Sequence, residues 1–70
     1  MKRVEARSGK VESIGYDSTI RVLEVELSNG SISQYSRVPR RVWAELMESE
    51  FKGHYFDKHI RYLYPAKRLR

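Results

Sequence analysis

The most regular stretch of the chain alternates residue by residue. Between Ile20 and Leu27, the side chains of Leu23, Val25 and Leu27 fall on one side of an extended backbone, and Glu24 and Glu26 fall on the other. A period of two is the mark of a strand with one buried face. Ahead of it, Ile14 and Tyr16, with Val11 out of step, predict a strand over 11–16 with an irregularity before Ile14. Asp17-Ser18-Thr19 reads as the turn between the two, because these side chains bond nearby backbone groups. Ser28-Asn29-Gly30-Ser31 is a hairpin signal leading into a third strand over 31–37.

Two hairpin registers are open, and they place Tyr35 on different faces. A two-residue turn at Asn29-Gly30 sets Ile32 opposite Leu27 and Tyr35 opposite Glu24, on the polar side. A three-residue turn with a bulge at Gly30 sets Ser33 opposite Val25 and Tyr35 opposite Leu23, which buries the ring. A slip of one residue flips the whole strand. The bulged turn is favoured, since Tyr35 then completes the Leu23, Val25, Leu27 face.

Beyond the strands the period changes. Pro39 suits the first position of a helix, where its missing N–H is not needed. Val42, Trp43, Leu46 and Met47 recur at helical spacing and Phe51 continues the stripe, with Glu45, Glu48 and Glu50 facing away. Gly53 is read as the end of this helix. Phe56, Ile60 and Leu63 form a second stripe, with Asp57 as the cap of a helix from 58 to about 63 that Pro65 ends. The expectation is an α+β domain: a three-stranded antiparallel meander followed by two short helices packed on one face. Seventy residues make one domain and not two. Residues 1–8 and 66–70 are expected to be flexible ends.

Several of these segments, taken in order, resemble the KTSC family. They are Ile14-Gly15-Tyr16-Asp17, Leu23-Glu24-Val25-Glu26-Leu27, Gly30, Tyr35-Ser36-Arg37-Val38-Pro39, Gly53-His54-Tyr55-Phe56-Asp57 and Ile60-Arg61. This family is a small domain found alone in bacteria and at the C-terminus of some lysyl-tRNA synthetases. The resemblance spans roughly residues 8–64 and implies, from the synthetase context, a role in binding RNA. Two positions depart from the pattern. Ser33-Gln34-Tyr35 keeps only the second residue of the family's tyrosine pair, and Phe51 stands where a serine is usual.

Charge points the same way. Fourteen Lys and Arg against nine Asp and Glu give +5. Residues 1–10 carry +3, 37–41 carry +3 and 51–70 carry +5, while 11–36 and 42–50 carry −3 each. Single-stranded nucleic acid needs cations to track phosphates and rings on which bases stack. The candidates are Arg37, Arg40, Arg41, Lys52, Tyr55, Lys58, Arg61, Tyr62, Lys67 and Arg68. Arg37, Arg40 and Arg41 surround a helix start, whose N–H groups also favour anions. Tyr35 and Trp43 are assigned to the core. A competing reading takes the bases as solubilising and the domain as an adaptor that meets another protein through an edge strand.

Little in the sequence suggests chemistry. There is no cysteine, hence no disulfide or thiolate nucleophile. His54 and His59 are five residues apart, off the helical spacing that converges two imidazoles, and no third ligand accompanies them. No glycine-rich phosphate loop is present. The chain is expected to be a binding domain without catalysis, metal or cofactor. No stretch approaches the ~20 apolar residues of a membrane span, and residues 1–10 hold no signal-like apolar run, so a cytoplasmic setting is expected.

Overall fold

The structure, a computed structural model, describes all 70 residues. Seven elements follow in order: β1 (Val4–Ser8), β2 (Val11–Asp17), β3 (Val22–Leu27), β4 (Ile32–Tyr35), α1 (Arg40–Glu48), α2 (Lys52–His59) and β5 (Ala66–Arg68). They form one antiparallel sheet in the order β1-β2-β3-β4-β5 with two helices. The α+β class stands, but the sheet has five strands rather than three. The added strands come from the end segments 1–8 and 66–70. Neither buries a residue fully: β1 alternates Val4 and Ala6 with Glu5 and Arg7, but only Ala6 packs against the core, and β5 is exposed throughout. Backbone pairing, more than side-chain burial, makes them strands.

The hairpin is the bulged one. Leu23 stands opposite Tyr35, Val25 opposite Ser33 and Glu26 opposite Ile32, with Gly30 at φ 91°. Only glycine takes that φ without strain. The irregularity expected in β2 falls between Val11 and Ser13 and returns Val11 to the face of Ile14. The core is built from Val11, Ile14, Leu23, Val25 and Tyr35 of the sheet, Val38 between β4 and α1, Val42 and Leu46 of α1, and Phe56 and Ile60. Tyr35 is 6% exposed and meets Phe56 edge-on, ring centroids 5.6 Å apart.

Helix boundaries differ from expectation. Pro39 lies just outside α1, and Ser49 returns to extended backbone, so Phe51 leaves the stripe and is exposed. Gly53 lies inside α2 rather than ending α1. The cause is packing against the β1–β2 turn: a Cβ on Gly53 would stand 3.2 Å from the Lys10 amide nitrogen and 3.4 Å from the Ser8 carbonyl oxygen. Phe51, at the α2 N-terminus, has no side-chain acceptor. Ser8 Oγ of β1 accepts the Lys52 N–H at 3.0 Å instead. Asp57 is not a cap. It lies within α2 and pairs with Lys10 at 2.6 Å and Arg61 at 3.3 Å. Phe56 and Ile60 are buried as expected, whereas Leu63 is exposed. Ile60 and Arg61 both donate to the Phe56 carbonyl, and this change of winding carries later residues off the stripe.

The second face of the sheet is partly covered. Residues 1–3 lie across Gly15, where a Cβ would stand 2.7 Å from the Lys2 carbonyl oxygen. Glu24 is thereby buried, ion-paired with Arg3 and accepting from Gln34 Nε2 at 2.9 Å. Ser13 Oγ accepts from Arg3 Nε at 2.9 Å and donates to Glu26 at 2.7 Å.

Candidate nucleic-acid interface

The β3–β4 register has a consequence past the strand ends. The pairing that sets Leu23 against Tyr35 carries Arg21 level with Arg37. Their segments are joined where the Val38 N–H donates to the Arg21 carbonyl at 2.9 Å. Arg21 and Arg37 both have left-handed backbone, φ 56° and 62°, a conformation uncommon for residues with a Cβ. Both side chains are exposed.

An aromatic stack borders this pair of arginines. Tyr16 donates its hydroxyl to the Val38 carbonyl at 2.6 Å. Its ring lies parallel to Trp43, with centroids 5.2 Å apart and an interplanar angle of 10°. The Arg40 guanidinium lies over the Trp43 ring, 5.7 Å from its centroid, within cation–π range. Ion pairs occupy Arg3, Arg7, Lys10, Arg41, Arg61 and Arg70. Arg21, Arg37 and Arg40 belong to none of them. α1 starts here with no capping side chain and no acidic residue in its first turn, so nothing local offsets its positive end.

The ten residues singled out in the sequence do not form one surface. Arg37 and Arg40 meet at the site just described. Arg41 lies 3.9 Å from Glu45, which accepts the Tyr55 hydroxyl at 2.6 Å. The Tyr55 ring packs against His59. Burial, followed by the hydrogen bond to the Glu45 carboxylate, pushes the Tyr55 phenol up to about 12. Tyr55 is thus tied into the fold. Lys52 lies at the opposite end of the sheet, near the β1–β2 turn, and donates from Nζ to the Ser49 carbonyl at 2.8 Å. Lys58 is exposed on α2. Arg61 is shared between Asp57 and the ring of Tyr62, and Tyr62 is 81% exposed. Lys67 and Arg68 lie on the edge strand β5, opposite Gln34 and Ser33.

Three residues of the site escaped the sequence reading. Arg21 is the one base within the acidic stretch 11–36, and the favoured register already placed it beside Arg37. Tyr16 and Trp43 belong to apolar stripes but are only partly buried. Val42 and Leu46 take the centre of the helix contact, which leaves Trp43 at its margin. No pocket opens on the chain, and no helix is long and apolar enough to cross a membrane.

The chain is similar in sequence and fold to known proteins. An uncharacterised protein of Stutzerimonas stutzeri is 39% identical over 67 residues, 89% of this chain and 94% of that protein. A lysine–tRNA ligase of Trichormus variabilis is 37% identical over 51 residues, 73% of this chain but only 9% of the ligase. The crystal structure of a KTSC domain protein from Yersinia pestis superposes with a TM-score of 0.91 at 31% identity, covering 99% of this chain and 97% of that one. The model of the KTSC domain matches residues 7–64. With that match over most of its length, and with the same fold in a solved relative, the chain belongs to the KTSC domain family.

Proposed function

We propose that the domain is a non-enzymatic RNA-binding module that holds single strands with low sequence specificity in the bacterial cytoplasm. The observation that supports this most is the group Arg21, Arg37 and Arg40, exposed and without carboxylate partners beside the Tyr16–Trp43 stack. Unpaired guanidiniums are available for phosphate, to which they bond in bidentate fashion. The similarity to a segment of a lysine–tRNA ligase adds a setting in which RNA is the partner. A surface without a pocket suits a flexible strand better than a small molecule.

Titration of labelled single-stranded RNA at several salt concentrations tests this. Three phosphate contacts give a slope of log affinity against log salt of about −2 for a single strand. Replacing Arg21, Arg37 and Arg40 together by Ala lowers affinity for all sequences alike and flattens that slope. Absence of any salt-sensitive binding at low ionic strength would sink the proposal. The adaptor reading, which calls for a salt-insensitive protein contact, would then replace it.

A further inference from the structure

Tyr16, Trp43 and Arg40 form a column. Tyr16 is anchored at its inner end by the hydroxyl bond to Val38. Trp43 lies parallel on it, and the Arg40 guanidinium stands over the indole, 5.7 Å from its centroid. Arg40 is exposed and Trp43 only partly so, which leaves a guanidinium at the solvent side of the group. Arg40 has no ion pair and its side chain donates no hydrogen bond within the chain.

We infer that Arg40 is a stacking platform on which one unpaired nucleobase lies, with Arg21 and Arg37 holding the adjoining phosphates. The inference rests on the RNA-binding reading and assigns the residue that favours single strands. A guanidinium is planar and weakly hydrated, so its free face stacks on a flat ring while its edge keeps its donors. Trp43 beneath Arg40 restrains the plane, so little side-chain freedom is left to lose on binding. Two cations on left-handed backbone flank the column. A base already stacked within a duplex is not available to such a platform, whereas an unpaired base is. Lysine would supply the charge but no plane.

Trp43 is the only tryptophan and lies directly under the platform, so its fluorescence reports occupancy. The experiment compares single-stranded oligoadenylate, a blunt RNA duplex and linear polyphosphate, read by Trp43 emission and by displacement of labelled RNA. The wild-type chain, Arg40→Lys and the double variant Arg21→Ala/Arg37→Ala are each first shown to be folded by circular dichroism. Oligoadenylate changes Trp43 emission in the wild type, while polyphosphate displaces RNA without changing it. Arg40→Lys weakens oligoadenylate by roughly tenfold, loses the emission change and binds single strand and duplex alike, with its salt slope kept. The double variant flattens the salt slope and keeps the emission change at saturation.

Wild-type behaviour of Arg40→Lys beside a weakened double variant would leave a phosphate clamp with no stacked base, overturning the inference and sparing the RNA reading. Salt-sensitive RNA binding unaffected in both variants would put the strand elsewhere, with the same consequence. No RNA binding by the wild type would remove both.

Discussion

Gly53 of α2 lies against the backbone of Lys10, so close that a Cβ at position 53 would stand 3.2 Å from the Lys10 amide nitrogen. In an exposed helix, Gly→Ala stabilises by about 1 kcal/mol. Here the sign reverses, because the β1–β2 turn would have to move as backbone. Gly53→Ala is expected to destabilise the domain by about 1–3 kcal/mol, measured by urea unfolding. A variant as stable as the wild type would show that the turn yields freely.

Tyr35 and Leu46 test the core from its two sides. Both are buried, one on β4 and one on α1. Leu46→Ala is expected to cost about 2–5 kcal/mol and Tyr35→Ala about 3–5 kcal/mol. Losses of this size are a large part of what a 70-residue domain holds, so both variants should unfold well below the wild-type melting temperature. A Tyr35→Ala chain that keeps its stability but loses RNA binding would mean the ring serves the ligand rather than the core.

The acid side of the stability profile belongs to Glu24 and Asp57. Burial alone would raise Glu24, but bonds from Gln34 and Arg3 outweigh it and hold the carboxyl below its ordinary value. The bond from Lys10, more than that from Arg61, does the same for Asp57. Both folded values lie below the unfolded ones, so their stabilisation is complete above about pH 4.5 and is lost as pH falls further. Arg3→Ala leaves Glu24 without its cation, and the acid transition should then begin at higher pH. Thermal melts from pH 7 to pH 2 measure this. An unchanged acid midpoint in Arg3→Ala would show that Gln34 alone suffices.

The alkaline side belongs to Tyr55. Its phenol is pushed up to about 12 by burial and by the Glu45 carboxylate. A folded value above the unfolded one means full stabilisation below about pH 10, lost as pH rises toward the folded value. Tyr55→Phe should remove that alkaline loss together with the bond to Glu45. Ultraviolet titration of the wild type should show the Tyr55 phenol ionising late, at about 12, with Tyr35 also delayed by its burial. A Tyr55 phenol ionising at the ordinary tyrosine value of about 10 would contradict the Tyr55–Glu45 bond.

The α+β class, the three central strands and the bulged hairpin were legible in the sequence. Their side chains alternate between a dry face and a wetter one, and the parity of Tyr35 with Leu23 selects one register. The site was legible only in part: Arg37 and Arg40 stood out as charge, but Arg21 joins them solely through strand pairing. Tertiary structure decided the rest. β1 and β5 exist because neighbouring backbones offer N–H and C=O partners, an interaction that leaves at most the short Val4, Ala6 alternation of β1 as a side-chain signature. Gly53 was read as a helix end because glycine often is one, whereas its true role is the close approach of α2 to Lys10. Glu24 looked like solvent-facing polarity until residues 1–3 folded over Gly15 and brought Arg3 to it. Local periodicity records which side of an element is buried. It cannot record which distant segment does the burying, since that is settled by long-range pairing and the space left when the chain closes.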